Sequence, residues 1–195
     1  MAKKKRLKIV LIGYGAISQT LFEVFAANKA PIDIVGVLVR SARIKATKKK
    51  LGAKVAVVDT LKALLKLKPD VVVEAASQQA VRDWGEKILK KGIDLMVIAT
   101  GAYGDPRLWK KHIKTAEKSG ARLRLPSGAI SGIDGLLAMR LGKLERVKYV
   151  SIKPPHAWTG TPAETEFDLP SIKEPTVIFR GKPADAGRLY PKNAN

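Results

Sequence analysis

The chain contains no cysteine among its 195 residues. That excludes disulfides and thiolate metal sites, and it fits a reducing compartment. Histidine occurs only twice, at His112 and His156, which leaves little material for imidazole metal centres, so no metal site is expected. No apolar run is long enough to cross a membrane. The basic N-terminus, Met1 to Arg6, is followed by an apolar piece that breaks at Gly13. This is too short for an export signal, so a cytoplasmic address is expected. Acidic residues are also scarce, 17 against 37 Lys plus Arg, giving a net charge of +20. Such a balance raises the question of a nucleic-acid partner. No basic motif interleaved with aromatics is present, however, and aromatics make up only 6% of the chain. The cations at Lys48, Lys49, Lys50, Lys62, Lys66, Lys90, Lys91, Lys110 and Lys111 read as solvated helix faces. A basic nucleic-acid binder on an α/β base is the less favoured reading. Internal repeats and low-complexity linkers are absent as well.

What is present starts with Lys8–Ile12, an apolar, mostly β-branched run that reads as a strand buried on both faces. Gly13-Tyr14-Gly15-Ala16-Ile17-Ser18 follows at once and opens a helix. This is the pattern of a dinucleotide-binding turn, with Ser18 in place of the usual third glycine. Gly13 lets the chain turn out of the strand. Gly15 carries no Cβ, so a pyrophosphate can approach the backbone at the positive end of the helix dipole. Ile17, Leu21, Val24 and Phe25 are expected to form the buried face of that helix.

Further strands are expected at 32–39, 54–58, 71–75, 93–99 and 121–125, alternating with helices. Asp59 or Thr60 is expected to cap one helix, and Asp105 with Pro106 opens another. His112 is placed off the apolar stripe of its helix and expected to be exposed. The alternation across residues 7–125 predicts a doubly wound α/β sheet of the Rossmann type. Domain boundaries are set at 1–126 for the nucleotide-binding domain and 127–195 for part of a second, α+β domain. In that second part, Asp134 is expected to cap a helix, and strands are expected at 147–152 and 176–179. At the end of the second strand, Arg40 stands where NAD-type sites usually place an acidic residue, followed by Ser41 and Arg43. A guanidinium there suits the 2′-phosphate of NADP, so the cofactor is NAD or NADP, with NADP slightly favoured. Ala76 and Ser77, in the loop after the fourth strand, leave room for a nicotinamide ribose. Glu74 is read either as a carboxylate of that site or as a buried structural acid. Lys153 is read equally as a substrate-carboxylate partner or a surface lysine.

Several stretches together resemble the L-aspartate dehydrogenase family: GYGAIS at 13–18, VVEAAS at 72–77, TGAYGDP at 100–106, PSGAISGID at 126–134, KPPHAWTGTP at 153–162 and LYPKNAN at 189–195. The resemblance spans essentially the whole chain. It implies an NAD(P)-dependent oxidoreductase that forms homodimers and oxidises L-aspartate to iminosuccinate, which hydrolyses to oxaloacetate and ammonia. It also implies that Ala129 and Asn195 contact the cofactor, beside Gly13, Tyr14, Gly15, Ala16, Ile17, Arg40, Ala76 and Ser77. The family's sequence runs on beyond PKNAN, and its proposed catalytic histidine lies in that part. No catalytic residue is therefore assigned here, His156 included, and the 195-residue chain is expected to bind cofactor with weak or no turnover. A non-catalytic NAD(P)-binding module is the alternative.

Overall fold

The computed structural model describes residues 6–128, 130, 132–191 and 193. The chain forms two compact units, the first ending at Leu125 and the second starting at Pro126.

In the first unit, β1 (Leu7–Ile12), β2 (Ile32–Leu38), β3 (Ala56–Val58), β4 (Val71–Glu74), β5 (Asp94–Val97) and β6 (Leu123–Arg124) form one sheet in the order β3-β2-β1-β4-β5-β6. Every pairing is parallel. Parallel strands need crossovers, and each is helical: α1 (Ala16–Ala27), α2 (Ile44–Leu51), α3 (Leu61–Leu65), α4 (Gln78–Leu89) and α5 (Pro106–Ser119). Alternation along the strands feeds two cores. Val10, Ile12 and Val72 point to the face covered by α3, α4 and α5, while Ile9, Leu11 and Val73 point to that covered by α1 and α2. Strand order reverses between β1 and β4, so a crevice opens at their carboxyl ends.

Caps set several helix starts. Thr60 accepts from the Ala63 amide, Ser77 from Ala80, and Asp105 from Arg107 and Leu108. Asp59 does not cap; it accepts a hydrogen bond from Ser41 instead. In α1 the buried face is rotated from the expected one. Ser18 is fully buried and Leu21, Phe22 and Phe25 pack on the sheet, whereas Ile17 and Val24 are exposed. The cause is Ser18, whose hydroxyl donates to the Gly13 carbonyl at 2.9 Å and draws that edge of the helix inward. All nine lysines assigned to helix faces are exposed.

His112 is the clearest departure. It is fully buried, not exposed. Its ring lies against Gly85 of α4, where an added Cβ would sit 2.4 Å from Cε1. Nδ1 is hydrogen-bonded to the Tyr103 hydroxyl at 2.9 Å, and Nε2 is buried with no hydrogen-bond partner. A glycine on the facing helix thus makes the room for an imidazole between α4 and α5.

The second unit contains α6 (Ile133–Met139), α7 (Ala163–Glu166) and α8 (Pro183–Leu189). Gly132, in left-handed conformation, precedes α6, and no side chain caps that helix, so Asp134 sits in its first turn instead. Neither expected strand forms: 147–152 and 176–179 are irregular. Apolar side chains of 147–152 are exposed, Tyr149 by 61% and Ile152 by 90%, and Val177 is exposed too, whereas Ile178 and Phe179 are half-buried. A strand needs a hydrogen-bonding neighbour, and none is supplied among the described residues. A small core of Ala163, Leu169 and Tyr190 holds this unit, with Trp158 and Phe179 edge-on to Tyr190. Among the described residues no helix is long and apolar enough to cross a membrane.

Burial holds the His112 imidazole below its ordinary value near 6.5, with a smaller opposing pull from the Glu86 carboxylate and a reinforcing push from Lys111. The unfolded chain therefore takes up a proton that the native ring refuses. Stability is present above pH about 6.5 and lost as pH falls toward the depressed value. We predict that His112→Gln flattens the pH dependence of the unfolding free energy between pH 5 and 7, measured by urea denaturation. An unchanged slope would rule out this role for the ring.

Candidate cofactor site

Three strand ends meet where the glycine turn leaves β1. The Gly13 amide donates to the Leu38 carbonyl at 2.8 Å, and the Ala75 amide to the Ile12 carbonyl at 2.9 Å. Gly13 has φ +96°, and a Cβ there would stand 2.6 Å from the Ala75 carbonyl oxygen. This position requires glycine on both counts. Gly15 differs. Its φ of −91° is open to any residue, and a Cβ would meet nothing within 4 Å. The empty space lies at the start of α1, whose first amides lack intrahelical partners. A glycine that neither backbone nor packing demands fits a cradle for a bound anion, so the turn suits a dinucleotide's pyrophosphate.

Tyr14 is buried, with its ring edge-on to Phe22 at 6.1 Å. Its side chain therefore packs in the core on the α1 side of the sheet. Ala16 and Ile17 are exposed in the first turn of α1, Ile17 by 51%. Arg40 is exposed just past β2. Ala76 and Ser77 are exposed in the loop after β4. Ala129 and Asn195 lie outside the described residues.

The loop after β4 is shaped by Glu74, which is 1% exposed. One carboxylate oxygen accepts from the Ala76 and Ser77 amides at 2.7 and 2.8 Å, and the other from the Ala99 amide at 3.2 Å. Burial pushes this carboxyl above its ordinary 4.5, against the pull of those three amides. Because both oxygens are taken by backbone, Glu74 is a positioning residue of the crevice and not a free acid in it. Burial, and to a lesser degree the Glu74 charge, holds the Tyr103 phenol well above 10. Tyr103 and His112 form a hydrogen-bonded pair in the α4–α5 layer, within reach of the Glu74 charge. Sequence reasoning left Tyr103 and Gly85 unassigned. Gly85 in a helix interior is a local signal for a close contact.

In the second unit, an open groove is lined by Pro155, His156, Glu164, Phe167 and Asp168, among others. Lys153 is half-buried. Among the described residues no group of His, Cys, Asp and Glu could hold a metal ion.

Strand order, glycine turn and open cradle define a Rossmann-type dinucleotide-binding domain. Residues 13–126 match the model of the homoserine dehydrogenase NAD-binding domain, and residues 134–195 match the aspartate dehydrogenase C-terminal model. An L-aspartate dehydrogenase of Cupriavidus necator is 39% identical over 193 residues, covering 97% of this chain and 71% of that protein. One of Ralstonia nicotianae is 46% identical over 128 residues, covering 66% of this chain and 48% of that protein. The chain belongs to the L-aspartate dehydrogenase family. The matches span about seven tenths of the Cupriavidus protein's length and about half of the Ralstonia protein's. Among solved structures, aspartate dehydrogenase from Thermotoga maritima superposes with a TM-score of 0.68 at 26% identity, covering 97% of this chain and 70% of that one. The WlbA dehydrogenase from Bordetella pertussis, solved with NADH and UDP-GlcNAcA, shares the fold at 16% identity with a TM-score of 0.56, over 65% of this chain and 36% of that one.

The two glycines make opposite predictions. Gly13→Ala should cost about 2–4 kcal/mol of stability through strain and clash. Gly15→Ala should keep stability within about 1 kcal/mol yet lose the rise in unfolding midpoint that NAD produces. Thermal unfolding with and without NAD checks both. An undiminished NAD response in Gly15→Ala would remove the cradle assignment.

Proposed function

We propose that the protein is an NAD(P)-dependent oxidoreductase acting on L-aspartate. What supports the reading is the open position at Gly15 beside the β1–β4 crevice, in a chain matched along 97% of its length by an L-aspartate dehydrogenase. A bound NAD(P) would supply the hydride acceptor for C2 of the amino acid, whose amine nitrogen would release a proton to give iminosuccinate. The Gly13–Ile17 backbone holds the pyrophosphate, with the Ile17 side chain covering it. Arg40 faces the adenosine ribose. Ala76 and Ser77 flank the nicotinamide end. The Ser77 amide is committed to Glu74 and its hydroxyl oxygen accepts from Ala80, so this residue fixes the loop while leaving its hydroxyl hydrogen for the cofactor.

We take the enzyme to be a cytoplasmic homodimer. The exposed apolar side chains of the second unit, Leu141 by 89% and Ile152 by 90% among them, fit a covered surface in the assembly. NADP is accepted as well as NAD, because a guanidinium at position 40 complements a 2′-phosphate.

Thermal unfolding with NAD and NADP in parallel tests the reading, since a ligand that binds only the native state raises the midpoint. Both coenzymes should raise it. In Arg40→Asp the affinity for NADP should fall about tenfold, with NAD nearly unaffected. No rise with either coenzyme in the unsubstituted chain would contradict the proposal.

A further inference from the structure

The backbone pairing of β2 with β3 runs one step past the end of β2, where the Val39 amide donates to the carbonyl of Val58, the last residue of β3, at 2.9 Å. This brings the residues after each strand side by side. Ser41 Oγ donates to Asp59 Oδ2 at 2.8 Å. Arg40, Ser41, Arg43 and Asp59 are all exposed there. Under the reading above, this is the end of the cleft that meets the 2′ substituent of the adenosine ribose. We infer that Asp59 is a specificity-determining residue that acts partly through Ser41 and weights this subsite toward the 2′-hydroxyl of NAD and against the 2′-phosphate of NADP.

A serine hydroxyl has one hydrogen and two acceptor lone pairs. With its hydrogen given to Asp59, Ser41 can only accept. The 2′-hydroxyl of NAD can donate to it; a 2′-phosphate, which presents acceptors, cannot. The Asp59 carboxylate also repels the phosphate that Arg40 and Arg43 attract. The two arginines and the aspartate therefore oppose each other, and the subsite accepts both coenzymes instead of excluding one. Exposure makes the effect modest and sensitive to salt. A separate sign of design is that Asp59 leaves the cap of α3 to Thr60, so its carboxylate is committed to Ser41 and not to the helix.

The test is fluorescence titration with NADH and NADPH of the unsubstituted chain, Asp59→Ala, Ser41→Ala/Asp59→Ala and Arg40→Asp. Asp59→Ala should shift the affinity ratio toward NADPH by about three- to tenfold at low salt, and by less at 0.5 M salt. The double variant should give back part of that shift, because the freed hydroxyl is gone. Unfolding midpoints without ligand should stay the same. A ratio that moves less than about twofold in Asp59→Ala, or equal changes for both coenzymes, overturns the inference. If Arg40→Asp leaves NADPH binding intact, the placement of the ribose subsite fails first; if Arg40→Asp weakens NADPH while Asp59→Ala changes nothing, only the role of Asp59 fails.

Discussion

The crevice depends on one buried carboxylate. Glu74 gathers the amides of Ala76 and Ser77, at the start of α4, and of Ala99, past the end of β5. These amides would otherwise end a strand or begin a helix without partners, at a point where the backbone must stay open to a ligand. Burying the charge is costly, and the direction of its pKa shift shows that desolvation outweighs the three donors. The arrangement persists because removing the carboxylate would leave the buried Ala99 amide unsatisfied, at about 1–3 kcal/mol, and would release the part-buried amide bonds of Ala76 and Ser77 as well. Glu74 pairs in register with Ile12, the residue before Gly13. The same carboxylate therefore fixes Ala75 and Ala76, against which Gly13 packs.

From that floor two branches extend. Toward the solvent, the glycine turn closes on itself through the Ser18 hydroxyl, which shows how a serine replaces the third glycine of the motif. It is small enough to be fully buried, and its one donor satisfies the Gly13 carbonyl. Toward the interior, Tyr103 and His112 carry polar contacts into the α4–α5 layer, with Trp109 edge-on to Tyr103 at 5.2 Å. Glu86 of α4 joins the same two helices at the surface through Lys111 of α5, and it also pairs with Lys90 just past the end of its own helix. Exposed pairs of this kind contribute little, so packing of His112 against Gly85 holds these helices more firmly than their ion pairs do.

Much of this was legible beforehand, and the exceptions have physical causes. Six strands, the parallel order and the Asp105–Pro106 helix start follow from period, caps and glycine placement, all of which are local signals. The depth of His112 was misjudged because its neighbours in sequence are lysines. Its spacing of four residues from both Leu108 and Ala116 already put it on the buried face. The decisive partner, Gly85, lies on another helix, and no local pattern links the two. The rotation of α1 has a similar origin, since Ser18 was treated as an element of the turn and not of the packed face. The segments 147–152 and 176–179 have the apolar content of strands but no pairing partner among the described residues, and sheet formation is a property of pairs. At the ribose end, Arg40 could be read from its position after a strand, but its counterweight could not. Asp59 meets Ser41 only once β2 and β3 are paired.

The central claim is that Glu74 shapes the crevice that receives the coenzyme. The most direct measurement is the rise in unfolding midpoint caused by NAD in Glu74→Gln, compared with the unsubstituted chain. Glutamine keeps one acceptor oxygen but turns a donor toward the Ala99 amide, so the loop should open while the sheet persists. The account predicts a lower midpoint without ligand and a markedly smaller rise with NAD. A variant that loses stability but keeps the full NAD-induced rise would contradict it.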